Sequence, residues 1–308
     1  MMRGVRGTVR SVRDAASAAW QRHKLGKLYS DSAANLAPAL HLREAIDWLC
    51  RAQDAGEDRG FSYGARLGEA FLPSYPETTG YIIPTFLRAA DAWSRPELEQ
   101  RAIEAADWEI AVQMPCGAVM AGRVTETPRP AVFNTGQVLL GWAALFGRTG
   151  EERFGNAAER AAEWLLATQE ANGEWVQGNS PLANARSTTY NVKAAWGLCR
   201  AGLVLGNERY VRSALLNAEH AVRQQAPNGW FGRCCLTDPD RPLLHTLAYT
   251  VQGLLGIAQL TGREDVLVAA RRSADAFMGV MDERGFIPGR IRSDLRGAVD
   301  WCCLTGSA

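Results

Sequence analysis

The chain repeats one pattern at a nearly fixed interval. Gly60, Gly117, Gly173, Gly229 and Gly285 are separated by 57, 56, 56 and 56 residues. Gln53, Gln113, Gln169 and Gln225 share a second slot, which Met281 fills in the last copy. The fullest copy, RAAEWLLATQEANGEW at 160–175, begins as a helix with Ala161, Trp164, Leu165 and Thr168 on one face. It ends in an Asn172-Gly173 turn followed by Trp175. A fixed period of this size means an array of supersecondary units. Each unit buries its apolar face only against its neighbours.

Between the glycines, the periodicity predicts two kinds of helix in alternation. The first kind is amphipathic and carries charges such as Glu99, Arg101, Glu159, Arg160, Arg271 and Arg272 on one side. The second kind is nearly uncharged and rich in Gly, Ala and aromatics, as in TGQVLLGWAALFG and HTLAYTVQGLLGIAQL. A helix that is apolar all round is buried on all sides. Alternation therefore implies two concentric layers, an all-α fold of the α/α-toroid type built from helical hairpins of about 56 residues. Gly80, Gly136, Gly141, Gly197 and Gly253 are placed to let inner helices approach one another closely. Residues 1–37 read as a basic leader and capping helix, with helix at 15–28. Residues 38–308 read as the toroid domain, with four complete hairpins and a fifth whose inner helix has only begun at Cys302. The expectation is an array incomplete at its C-terminus, with an exposed apolar flank on the last hairpin or closure against a second copy.

Composition narrows the function classes. The 308 residues are 47% apolar and 22% charged, which is globular rather than disordered. A net charge of +1 gives no broad field to recruit nucleic acid. No apolar run approaches the ~20 residues of a membrane span. The leader carries Arg3, Arg6, Arg10 and Arg13 without the apolar core of a secretory signal. Val5, Val9 and Val12 suit either a frayed leader or a weak surface anchor. Seven scattered cysteines do not form a disulfide framework, and a reducing cytoplasm is the expected location.

The copy at 160–175 resembles the QW repeat of terpenoid cyclases and related prenyltransferase toroids; Trp48-Leu49 with Gln53, Gly60 and Phe61, and Gln225 with Gly229 and Trp230, are partial copies. The resemblance implies a structural role for Gln and Trp, tying outer helices to turns. The acidic DxDD cluster and the DDxxD motif of those enzymes are absent, and Asp238-Pro239-Asp240 is a poor substitute. The whole chain, with SYPETTGY at 74–81, FNTGQ at 133–137 and CLTG at 303–306, also resembles bacterial six-hairpin toroid proteins. Those are similar to glycoside hydrolases, polysaccharide lyases and sugar epimerases. That resemblance implies a polysaccharide or oligosaccharide in the central funnel.

The site is expected where long loops enter the inner helices. In register, Thr78, Asn134, Tyr190, Thr246 and Cys302 are equivalent, with Glu77, Gln137, Asn191, His245 and Tyr249 beside them. Thr78, Thr135 and Thr188 are expected as ordinary N-caps. Glu77 opens an otherwise uncharged stretch; it suits either the helix dipole or general acid–base work. Hydrolysis needs a second carboxylate across the cleft, with Asp300 and Asp238 available. His245 and Tyr249, four residues apart, share a helical face. With Tyr190 and Arg186 they suit a lyase or epimerase, in which Tyr or His moves a proton while Arg or Asn holds a uronate. Catalytic candidates are thus Glu77, His245, Tyr249, Tyr190 and Asp300; substrate-binding candidates are Asn134, Gln137, Arg186, Asn191 and Lys193. Trp175, Trp230 and Phe286 read as packing residues of the turns.

No cofactor and no metal are expected. Cys234, Cys235, His245, Asp300, Cys302 and Cys303 supply zinc-type ligands, but without CxxC or HxxxH spacing. Three readings compete: a glycan-modifying hydrolase, lyase or epimerase; an isoprenoid-type toroid; and a noncatalytic glycan-binding scaffold. The first predicts carboxylates, Tyr, His and Arg at the mouth. The second predicts an aromatic funnel. The third predicts that every polar residue there is a satisfied cap.

Overall fold

The protein is described by a computed structural model covering residues 37–65 and 68–303. Among these residues there are nine α-helices and no strand beyond isolated bridges. They are α1 (Pro38–Asp54), α2 (Pro76–Trp93), α3 (Pro96–Val112), α4 (Val132–Thr149), α5 (Glu152–Thr168), α6 (Val192–Val204), α7 (Glu208–Arg223), α8 (Leu244–Thr261) and α9 (Glu264–Met278). A 3-10 turn, Thr189–Asn191, leads into α6. The even-numbered helices pack in succession, α2 on α4, α4 on α6 and α6 on α8, and form the inner layer. The odd-numbered helices form the outer layer. No helix of the described residues is long and apolar enough to cross a membrane. The expected leader helix at 15–28 lies outside the described residues. Cys302 and Cys303 are not helical, and residues 304–308 also lie outside them.

The layers follow from local sequence. Prolines at the first turn start α1, α2 and α3, where a missing N–H costs nothing. Acidic residues follow in α3, α5 and α9, at the positive end of each dipole. The inner helix α4 is buried continuously from Val132 to Leu145. Its Trp142 donates its indole N–H to Ala106 O of α3 at 3.2 Å. Glycine sets the inner spacing: a Cβ at Gly136 would stand 2.3 Å from the Ala194 Cα, and one at Gly197 2.1 Å from Gly136 O.

The repeat motif joins successive outer helices. Gln169 Nε2 donates to Gly173 O of its own turn and to Ser213 O of α7, both at 3.1 Å. Its Oε1 accepts from Ser213 Oγ at 2.6 Å. Gln113 makes the equivalent pair to Gly117 O and Ala157 O, and Gln53 to Arg59 O and Arg101 O; Gln225 instead donates to Ala269 O and Ser273 Oγ of α9, and Ser273 Oγ donates to Gly229 O of the turn. The turn glycine is needed twice over. Gly173 has φ +91°, and a Cβ there would lie 2.4 Å from Leu216 O of α7. Trp175 is fully buried and donates to Leu165 O at 2.9 Å, the packing role its position predicts.

The two rims differ. Connections from inner to outer helices are tight turns, at 94–95, 150–151, 205–207 and 262–263. Connections from outer to inner helices are long loops, at 55–75, 113–131, 169–191 and 224–243. All long loops therefore gather at the N-termini of α2, α4, α6 and α8. Past α9, Gly289 O accepts from Leu244 N at 3.0 Å, so the final loop docks on the start of α8. The last hairpin leaves Val268, Met278 and Met281 exposed.

Candidate functional site

The long-loop rim encloses a cavity of about 560 Å³ at the inner-helix N-termini. Glu77, Asn134, Tyr190, His245 and Tyr249 line it together. The helix period explains the convergence: Glu77 and Tyr81 on α2, and His245 and Tyr249 on α8, are each four residues apart and point the same way.

Glu77 lies in the first turn of α2. Tyr75 Oη donates to its carboxylate at 2.5 Å. Burial pushes Glu77 above the usual carboxylate range, against the Tyr75 hydrogen bond and the Lys193 charge, which pull it down. Desolvation outweighs the groups that favour its anion. Burial, with the Glu77 charge next, raises Tyr75 so that it stays a phenol.

His245 and Tyr249 stack edge-on, with ring centroids 4.3 Å apart. Burial, then the charge of Lys193, lowers His245 to about 4, so the imidazole is neutral at pH 7. Phe133 lies against Tyr249 at 5.0 Å and Tyr190 at 5.6 Å. Tyr190 donates its hydroxyl to Asn179 Oδ1 at 2.6 Å, and burial raises it. Lys193 lies behind these rings and lines no part of this cavity: its ammonium sits 3.7 Å from the Tyr249 ring centroid and 5.3 Å from that of Tyr81. Burial lowers Lys193 to about 8, against the Glu77 charge.

Other expected residues fall elsewhere. Gln137 is fully buried, with both side-chain polar atoms unpaired, and does not reach the cavity. Asn191 is fully buried and donates to Asn179 Oδ1 at 3.3 Å. Arg186 and Asp300 are exposed and line no part of the cavity; Asp238 is paired with Arg241 at 2.8 Å. Asn191 follows the lining residue Tyr190 and so points away from the cavity; Gln137 shares a face with Phe133 and Asn134 but lies one turn further along α4, and Arg186, Asp238 and Asp300 are on loops. The three threonines do not cap helices. Thr78 Oγ1 donates to Tyr75 O, Thr188 Oγ1 donates to Glu174, and Thr135 Oγ1 accepts from Val119 N while donating to Ala131 O. They join the loops to the helix starts instead. Cys234 Sγ contacts Thr246 O and Thr250 Oγ1, and burial pushes its thiol up to about 12. Among the described residues no three His, Cys, Asp or Glu side chains converge as a metal-binding group.

The cavity also holds residues that position alone does not single out: Tyr63, Tyr75, Tyr81, Glu126 and Arg129. The i, i+4 rule that pairs His245 with Tyr249 also yields Tyr81 from Glu77. Glu126 and Arg129 sit on a loop, where no period points.

The fold has solved counterparts. Cellobiose 2-epimerase from Spirochaeta thermophila matches with TM-score 0.66 and 15% identity, over 85% of this chain and 75% of that one. An unsaturated glucuronyl hydrolase specific for heparin matches with TM-score 0.63 and 13% identity, over 79% and 68%. An α-mannanase of family GH76 from Bacteroides thetaiotaomicron matches with TM-score 0.61 and 12% identity, over 76% and 66%. The chain has the α/α-toroid fold of these six-hairpin proteins. It spans about two thirds of the mannanase's length. No protein-family model matches the sequence, and no curated protein matches it.

Proposed function

We propose that the protein acts on a glycan bound in the long-loop mouth, by proton transfer at a sugar. One observation carries the reading. A half-buried carboxyl with a raised pKa, Glu77, shares a cavity with a neutral imidazole, His245. Two titratable groups driven in opposite directions are the arrangement that acid–base catalysis requires. The folds that resemble this one include enzymes acting on mannan, cellobiose and glucuronyl substrates, which supports a sugar ligand.

The lining favours elimination or epimerisation over hydrolysis. Among the described residues the only other lining carboxylate, Glu126, is exposed and paired with Arg123 at 2.9 Å. Hydrolysis by two carboxyl groups needs the second one free. In the favoured reaction, His245 takes a proton from a sugar carbon. Protonated Glu77 returns one, either to the departing glycosidic oxygen or to the opposite face of the carbon. Asn134 and Arg129, which line the cavity, are the groups assigned to hold a sugar carboxylate or hydroxyl. Tyr75 and Tyr249 remain phenols and donate hydrogen bonds. An isoprenoid funnel fits less well: five of the six aromatic rings lining the cavity are tyrosines, and Glu, Arg and His stand among them.

The test is a glycan array with uronic-acid oligosaccharides, run on the parent, Glu77→Gln and His245→Ala. Binding by the parent that weakens in both variants supports the reading. Absence of binding by a folded parent sinks it.

A further inference from the structure

The funnel continues past its floor. Beyond Tyr81 and Tyr249 a second cavity of about 510 Å³ opens toward the tight-turn rim. Its lining follows from the helix period. Lys193, Trp196 and Arg200 form one stripe on α6; Tyr81 and Arg88 lie seven residues apart on α2. Gln252 and Gln259 continue the Tyr249 face of α8.

Among the described residues this cavity is lined by three cationic side chains and by no Asp or Glu. Several arginines on the outer surface are paired, as Arg148 is with Asp91 and Glu99, Arg101 with Asp54, and Arg263 with Asp265 and Glu219; Arg88 and Arg200 instead face a shared cavity. Among the described residues, Arg88 and Arg200 have no carboxylate partner. Arg200 Nε is buried and has no acceptor at all. Burial, and then the charge of Arg88, pull Arg200 below the usual guanidinium range. Helix dipoles do not explain the placement, because neither arginine lies in the last turn of its helix. Two like charges facing one space, with a buried donor unmet, leave both the repulsion and the hydrogen bond to be satisfied by something else. A guanidinium fork matches an oxyanion in geometry and charge.

We propose that this cavity is a second ligand site, which binds the phosphate of a small molecule between Arg88 and Arg200. The volume exceeds what a free phosphate fills and lies within the ~300–1,000 Å³ of small-molecule pockets. Trp196 offers a ring face, and Gln252 and Gln259 offer amides, to the uncharged remainder. Tyr81 and Tyr249 line both cavities, so an occupant here touches from behind the residues that floor the mouth. The inference does not depend on the glycan reading.

Calorimetric titration at constant ionic strength tests it, with inorganic phosphate, glucose 6-phosphate and glucose as probes. The parent is expected to bind at least one of the two anions saturably and glucose not at this site. Stronger binding of the ester identifies a phosphorylated metabolite; binding of inorganic phosphate alone identifies the free anion. Arg88→Gln and Arg200→Gln are each expected to weaken binding by about tenfold or more, the usual loss for a hydrogen bond to a charged group. Glu77→Gln, in the other cavity, is expected to leave it intact. Arg88 is exposed, so its variant decides the matter if Arg200→Gln does not fold. No saturable binding of either anion by the folded parent would overturn the proposal. So would affinity unchanged in Arg88→Gln.

Discussion

Replacing Gly173 by Ala tests how the repeat holds its layers, and Gly150 supplies the control. Both glycines have positive φ, +91° at Gly173 and +69° at Gly150. An alanine in the left-handed region costs about 1–2 kcal/mol, partly offset by the reduced freedom of the unfolded chain. At Gly150 that is the whole cost, because a Cβ there meets nothing within 4 Å. At Gly173 a Cβ would lie 2.4 Å from Leu216 O and 2.9 Å from Leu216 Cγ. Relief requires moving the turn off α7 by about an ångström, a displacement comparable to core overpacking at about 1–3 kcal/mol. It would also stretch the Gln169 bridge to Ser213, at 3.1 Å and 2.6 Å. The expected losses are about 1 kcal/mol for Gly150→Ala and about 3–4 kcal/mol for Gly173→Ala. Urea unfolding followed by circular dichroism measures both. Equal losses in the two variants would refute the claim that the repeat glycine serves close approach as well as turn geometry.

Glu109 is fully buried with neither carboxyl oxygen bonded, and burial raises it well above the usual range. The folded state then holds a proton that the unfolded state releases, so this residue's contribution falls as pH rises above about 4.5. Glu109→Gln is expected to stabilise the protein at pH 7 by about 1–3 kcal/mol, and to flatten that slope in thermal melts at pH 5 and pH 8. His245 has the opposite sign. Its lowered pKa means the unfolded state binds the extra proton, so stability is full above about 6.5 and declines as pH falls toward 4. His245→Gln is expected to remove up to about 3 kcal/mol of that decline, read from denaturation midpoints between pH 7 and pH 4. Arg148 joins the end of α4 to Asp91 and Glu99 at 2.8 Å and 2.7 Å on a partly exposed surface. Arg148→Met is expected to cost about 1 kcal/mol at low salt and less at 1 M salt.

The fold was legible because period carries it. Gly173 and Gln169 repeat at one interval, and that interval specifies the hairpin, the layers and the rim where long loops gather. The paired positions Glu77 with Tyr81 and His245 with Tyr249 were equally accessible to helix geometry. Asn191 was not, because a helix start places one residue in a cavity and its neighbour in the wall, and Gln137 was not, because it shares the face of Phe133 and Asn134 yet lies one turn past the cavity, a depth that register does not give. Thr78 and Thr188 have the composition of caps, yet their hydroxyls meet Tyr75 and Glu174 through contacts that depend on loop path. Glu126 and Arg129 reach the mouth on a loop with no periodicity to place them. The unpaired Arg88 and Arg200 come into view only when α2 and α6 are set side by side.

The most direct measurement is conversion of a panel of uronic-acid and neutral oligosaccharides, followed by mass spectrometry and by NMR of the products across pH, for the parent and Glu77→Gln. The account predicts that the parent forms an unsaturated or epimerised product from a member of the panel, with activity falling as pH rises past the raised Glu77 pKa. Glu77→Gln is predicted to lose about a hundredfold or more of that activity, the scale of a general acid or base, while keeping its fold. A folded parent that converts nothing, or a Glu77→Gln variant as active as the parent, would contradict it.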